Sequence, residues 1–285
     1  MVTGSSAFYI DKKFKDSLAG RKRIFNLMTL TFVEMLRFRG YDKFAHYLNQ
    51  SHFPLLYKSE LEVLLYEYCL FGGYPAVVLA KTAETKKLLL KELAESYIKK
   101  DVIDSDLDLF DIYLQMMKLL ANQTGSLVNV RQISNILDIN VETVRKYLNT
   151  MQKSFHLTRI KPYWTNRAKE LKRMPKVYYY DNGLRNYFAD NFSPIPLRDD
   201  RGIIFENFIF RRLLDLYGED NVRFCRTNKK QEIDFIVKTD ENLYRAYEVK
   251  YKLTTMRKNK YNFFRDLHPD TDLQFVDKDN VFEIM

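Results

Sequence analysis

Glu206, Asp234, Glu248 and Lys250 are three carboxylates and one ammonium, the set that divalent-metal phosphodiester cleavage requires. Hard oxygen ligands hold Mg²⁺, and a nearby cation orients the attacking water or takes up charge on the phosphorane. Asp234 lies in Gln231-Glu232-Ile233-Asp234-Phe235, and Glu248 and Lys250 lie in Tyr247-Glu248-Val249-Lys250. For these groups to act together, the chain must bring two short segments and one helix to a single face.

Residues 232–237 and 243–251 are rich in β-branched and aromatic side chains and read as strands. The polar stretch Lys238-Thr239-Asp240-Glu241-Asn242 reads as the turn between them. Alternation puts Glu248 and Lys250 on one face and Val249 on the other. A hairpin centred near Glu241 sets Asp234 opposite Glu248, with Cβ atoms roughly 5 Å apart. A slip of one residue would part them. The same residues also suit a solvated sheet face, where their ion pairs are worth under about 1 kcal/mol each. Residues 201–217 form an amphipathic helix in this reading, with Glu206 on its inner face or in a first turn favoured by the helix dipole. Further strands are expected at 222–226, 274–276 and 281–284.

The chain has 285 residues, 46% of them hydrophobic, with 20 tyrosines and 21 phenylalanines, enough for several domains with real cores. No apolar run of about eighteen residues indicates a membrane span, and no leader-like start points to secretion. Cys69 and Cys225 read as reduced thiols, and four histidines (46, 52, 156, 268) in no ligand-like spacing argue against zinc. A cytoplasmic protein with no membrane partner is the expectation. The net charge of +9 is uneven: from Glu142 to Lys176 ten Lys and Arg face two glutamates, a local balance of 10 − 2 = +8. Such a concentration suits a polyanion, DNA or another nucleic acid.

Residues 110–180 are patterned as a winged helix-turn-helix, with helices at 111–122, 130–137 and 141–153. Ile133, Ile136, Leu137, Ile139, Val144, Leu148 and Met151 supply the apolar lining at helical spacing. Thr143, Arg145, Lys146 and Asn149 then face outward on the third helix, the one that would enter a major groove. His156–Pro162 and Lys176–Tyr180 read as the wing. Arg167, in the aromatic and basic stretch Tyr163-Trp164-Thr165-Asn166-Arg167, would grip phosphate. A wing packed on a neighbouring domain is the alternative. Upstream, helices are expected near 29–38, 41–50, 60–70 and 83–103, with Pro75 in a helix first turn after Gly72-Gly73.

In order along the chain stand Val2-Thr3-Gly4-Ser5-Ser6, Ser17-Leu18-Ala19-Gly20-Arg21, Leu30-Thr31-Phe32-Val33-Glu34 and Phe71-Gly72-Gly73-Tyr74-Pro75. Ser96-Tyr97-Ile98-Lys99-Lys100-Asp101, Tyr180-Asp181-Asn182-Gly183-Leu184-Arg185, Phe205-Glu206-Asn207, Arg226-Thr227, Glu232-Ile233-Asp234-Phe235 and Glu248-Val249-Lys250 follow. In this order they resemble the bacterial and archaeal AAA-type ATPases that end in a domain of unknown function similar to a PD-(D/E)xK nuclease. The resemblance implies an α/β multidomain fold. Residues 1–57 would be an ATPase-core remnant, 58–105 a helical lid, 106–180 a winged helix-turn-helix and 181–285 a restriction-endonuclease-like domain.

The same resemblance implies roles. Thr3 and Ser5 would sense the γ-phosphate, Arg21 would approach the nucleotide or a neighbouring subunit, and Gly73 and Pro75 would open the lid beside the adenine. Asp234, Glu248 and the Val249 carbonyl would ligate Mg²⁺, with Glu206 assisting and Lys250 polarising the water. One departure is large: none of the nine glycines is followed by Lys-Ser or Lys-Thr, so no phosphate loop is present. ATP hydrolysis is therefore not expected of this chain alone; ATP would belong to a full-length relative with an intact loop. The other function class left open is a non-catalytic regulatory module that binds nucleic acid or a protein partner.

Overall fold

A computed structural model describes residues 25–48, 55–104, 110–163, 174–227, 229–240, 243–253 and 258–285. The described chain opens with α1 (Phe32–Phe38), whose start is fixed by a capping box: Thr31 Oγ1 accepts from the Glu34 amide and the Glu34 carboxylate accepts from the Thr31 amide. There follow α2 (Asp42–Leu48), α3 (Lys58–Phe71), α4 (Pro75–Leu79) and α5 (Ala83–Asp104). The break between α3 and α4 is a packed joint. The Leu30 amide donates to Gly73 O (2.9 Å) and the Gly73 amide to Asp181 Oδ2 (2.8 Å). A Cβ at Gly73 would lie 2.1 Å from Leu30 O, so only glycine lets these backbones meet.

Three helices come next, α6 (Phe110–Asn122), α7 (Val130–Leu137) and α8 (Val141–Lys153), with Asn129 and Asn140 accepting at the starts of α7 and α8. Their ends match the sequence reading to within one residue. Val144, Leu148 and Met151 are buried as expected, joined by Tyr147, with Tyr113, Met116, Leu120 and Ile133 opposite. Ile136 is instead 53% exposed. The two-turn α7 packs against α6 and α8, and Ile136 lies on its solvent side.

The next two strands, β1 (Leu157–Ile160) and β2 (Lys176–Tyr179), pair antiparallel from Leu157↔Tyr179 to Ile160↔Lys176. They do not stand free as a wing. The stretch 125–128 lies along the far edge of β2, with Gly125 N donating to Val177 O and Val177 N to Ser126 O. Beyond β1, the Tyr163 amide donates to Phe224 O in the next sheet (2.6 Å). Thr158, Val177 and Tyr178 are accordingly buried. Leu157, Val177 and Tyr179 join one apolar cluster and Ile160 and Tyr178 another, so both faces of the hairpin are covered.

After α9 (Asn182–Phe188), α10 (Arg201–Tyr217) lies across a four-stranded sheet of order β3-β4-β5-β6. The strands are β3 (Val222–Arg226), β4 (Glu232–Asp240), β5 (Leu243–Val249) and β6 (Asp272–Val276). The first three are antiparallel; β6 runs parallel to β5, reached through α11 (Asn262–Leu267). β4 continues to Asp240 through a bulge, taking in the first three of the five residues read as turn. Val281–Ile284, expected as a strand, is a 3₁₀ turn. Asp277 Oδ1 accepts from the amides of Asp279 and Asn280, and Asn280 Nδ2 donates to Phe275 O; these local bonds turn the chain and bury Val281 and Phe282. One apolar cluster links Phe32, Leu64, Tyr178, Phe208, Phe235 and Phe282.

Candidate metal centre

β4 and β5 pair at Phe235↔Tyr247 and Ile236↔Ala246. One step further along the same register, Asp234 stands opposite Glu248, at the end of the hairpin where both side chains are buried. The Val249 amide donates to Asp234 Oδ2 (2.8 Å), fixing that carboxylate against the β5 backbone. Lys250 Nζ lies 2.6 Å from Glu248 Oε1 and 3.4 Å from Asp234 Oδ2, and donates to Val249 O at 2.8 Å. The ammonium's three protons thus meet three oxygens. Tyr261, just ahead of α11, donates its hydroxyl to Glu248 Oε1 (2.8 Å), while Glu248 Oε2 is buried without a hydrogen-bond partner.

Glu206 enters from α10. It falls in the second turn, past the reach of the helix dipole at the first turn, and its carboxylate faces β2. Tyr178 OH donates to Glu206 Oε1 (2.6 Å), and Lys176 Nζ lies 3.7 Å from the same oxygen and 2.5 Å from Glu232 Oε1. Arg226 closes the other side of Glu232 at 2.6 Å. The centre therefore holds two acid–base runs, Glu248–Lys250–Asp234 and Glu206–Lys176–Glu232–Arg226, which meet acid to acid at Asp234 and Glu206.

Burial, with repulsion from Asp234, pushes the Glu206 carboxyl up to about 7. The same two causes raise Glu248. Burial works against the Lys250 and Lys176 ammoniums, yet the surrounding carboxylates hold both above the ordinary lysine value. The cluster is thus rich in negative charge that its own lysines neutralise only in part.

Among the described residues no three His, Cys, Asp or Glu side chains converge as a ready metal cage. Two carboxylates and a backbone carbonyl do converge, on Lys250 Nζ, and one buried carboxylate oxygen lacks a partner. That donor set fits Mg²⁺, which keeps several waters and takes one or two protein carboxylates. It lacks the histidine and thiolate ligands that most zinc sites use.

Four site residues inferred from sequence are brought together: Glu206, Asp234, Glu248 and Lys250. Lys176, Tyr178 and Tyr261 were not among them. The alternation Lys176-Val177-Tyr178 places 176 and 178 on one face, a signal the sequence carries; which element that face meets is set by tertiary packing. On α8, Arg145, Lys146 and Asn149 are exposed and Thr143 is half-buried. Arg145 pairs with Glu142 at 3.7 Å, and Asn149 Oδ1 accepts from Arg159 at 2.7 Å. Gly73 and Pro75 sit in the packed joint between α3 and α4. Thr3, Ser5, Arg21 and Arg167 lie outside the described residues.

The chain is a mixed α/β protein in which a helix carboxylate and a hairpin Asp-Glu-Lys set meet beside a short buried strand pair. Residues 62–194 match a domain of unknown function (DUF8612), and residues 201–284 match another (DUF4143). An uncharacterized protein of Methanocaldococcus jannaschii is 26% identical over 244 residues, covering 83% of this chain and 52% of that protein. An uncharacterized protein of Haemophilus influenzae is 28% identical over 253 residues, with coverages of 86% and 57%. One of Mycobacterium tuberculosis is 23% identical over 182 residues, with coverages of 63% and 41%. The chain thus spans about half the length of these relatives. No solved structure matches. Among the described residues no helix is long and apolar enough to cross a membrane.

Proposed function

We propose that the chain carries a Mg²⁺-dependent nuclease-like centre that cleaves phosphodiester bonds in DNA. The observation that carries this reading is that Asp234, Glu248 and the Val249 carbonyl converge on Lys250 Nζ, at 3.4, 2.6 and 2.8 Å. Asp234, Glu248 and Val249 O would hold the ion, which supplies Lewis-acid polarisation of the phosphate and a more acidic water. Lys250, whose side chain is 40% exposed, reaches solvent and would carry the charge that grows on the phosphorane oxygens. Glu206, with its carboxyl near 7, is suited to exchange a proton at its carboxylate close to neutral pH. Lys176, the last basic residue of the +8 segment, belongs to this centre, and the charge of that segment favours a polyanionic substrate.

The order of family-like stretches supports reading the chain as the C-terminal part of an AAA-type ATPase, with ATP belonging to a full-length relative. The test of the nuclease reading is nicking of supercoiled plasmid with Mg²⁺ or Mn²⁺. Asp234→Ala and Lys250→Ala should each lower the rate at least about a hundredfold. Cleavage that survives both changes refutes the assignment.

A second reading, a non-catalytic nucleic-acid module, is favoured by the exposure of Arg145, Lys146 and Asn149 on α8. Binding through that face would persist in Asp234→Ala and would weaken steeply with salt.

A further inference from the structure

The carboxylate of Glu206 is held from outside the C-terminal matched region. β2 presents Lys176 and Tyr178 on one face, since they are two residues apart in a strand, and both reach Glu206 Oε1, at 3.7 and 2.6 Å. The turn after α6 passes close to the same carboxylate. Gly125 has φ +76°, and a Cβ built on it would lie 3.0 Å from Glu206 Oε1, so the glycine leaves the carboxylate its place. All three belong to residues 62–194, whereas Glu206, Asp234, Glu248 and Lys250 belong to 201–284.

We propose that Gly125, Lys176 and Tyr178 are positioning residues that aim Glu206 at the Asp234–Glu248 pair, making the metal centre a composite of the two matched regions. The inference rests on the metal-centre reading given above. Its chemistry is that of an outer shell. An acidic group that hydrogen-bonds waters on a metal acts only in a narrow set of orientations. Among the described residues the hydrogen-bond and ion-pair partners of Glu206 lie on β2, which supplies both a neutral donor and a cation. The other charged groups that face it are Glu232, bound to Lys176, and Asp234 and Lys250 from the hairpin. Lys176 is 2% exposed and tied to two carboxylates, which gives it no role as a surface charge.

Tyr178→Phe is the sharpest probe, because it deletes one hydroxyl and keeps the ring stacked on Phe210 at 4.5 Å. Calorimetric titration of the full chain with Mn²⁺ should show affinity lowered about tenfold or more in this variant. Glu206→Gln should cost a similar factor, and adding Tyr178→Phe to it should cost nothing further. Lys176→Arg should bind nearly as the wild type does, and Lys176→Met should not. Wild-type affinity in Tyr178→Phe overturns the inference, as does a loss that persists undiminished in the Glu206→Gln background, which would mark a general structural defect. A wild-type chain that binds no Mn²⁺ removes the nuclease reading and this inference together; wild-type binding with an indifferent Tyr178→Phe removes this inference alone.

Discussion

Glu206→Gln should stabilise the metal-free protein at alkaline pH, although it removes a group assigned to the centre. The folded protein holds this carboxyl up to about 7, against an ordinary 4.5, first through burial and then through Asp234. A raised carboxyl binds its proton more tightly in the folded than in the unfolded chain. Its contribution to stability is therefore complete below about 4.5 and is lost as pH climbs through about 7. The interval corresponds to about 3 kcal/mol at 1.36 kcal/mol per pH unit. Residual solvent access, 19% of the side chain, and the shared repulsion with Asp234 bring the expected effect to about 1–3 kcal/mol. Glutamine keeps the shape and still accepts from Tyr178 OH, so it imitates the protonated acid.

The assay is guanidinium unfolding with EDTA at pH 5, 6.5 and 8. The advantage of Glu206→Gln should be smallest at pH 5 and largest at pH 8, where the midpoint rises without a change in slope. Adding Mn²⁺ at pH 8 should reverse the order by stabilising the wild type more. A variant less stable than the wild type at pH 8, or an offset that does not vary with pH, would show that Glu206 is not held near neutrality by this cluster.

The remaining predictions concern the joint and α8. Gly73→Ala should destabilise by at least about 2 kcal/mol in chemical denaturation, because its Cβ would press on the Leu30 carbonyl, a backbone atom with no easy escape. A change within about 0.5 kcal/mol would mean the joint opens freely. Arg145→Ala and Lys146→Ala should each reduce the slope of log K against log salt for duplex binding by about 1, uniformly across sequences. An unchanged slope in the double variant would take DNA away from the α8 face.

Much of this architecture is legible in the chain. Periodicity locates α10 at Arg201–Tyr217 and α8 at Val141–Lys153, and the polar turn sets the hairpin so that Asp234 and Glu248 face each other. What escapes such reading depends on distant partners. Val281–Ile284 has strand composition, yet Asp277 and Asn280 redirect it through side-chain bonds to the backbone. β1 and β2 look like a wing, and their burial follows only once residues 125–128 and Phe224 lie against them. Lys176 reads as one basic residue among ten until α10 sets Glu206 beside it.

The stretch Phe205-Glu206-Asn207 explains why that placement is rigid. Phe205 is buried in the large apolar cluster. Asn207, 1% exposed, accepts from the Tyr179 amide (2.9 Å), and its Nδ2 donates to Tyr179 O (3.1 Å) and Asn182 Oδ1 (2.8 Å). Its amide thus clasps the end of β2 as another strand would. Buried polar groups bonded this fully resist sliding, because any shift leaves several of them unpaired at once. With the residues before and after it fixed, Glu206 must face the Lys176–Tyr178 side of β2. The stretches 180–185 and 205–207 are therefore one device: they lock α10 to β2 in the register that delivers a carboxylate to the candidate metal centre. Loosening the clasp with Asn207→Ala would weaken metal binding through Glu206 without touching any group that contacts the ion.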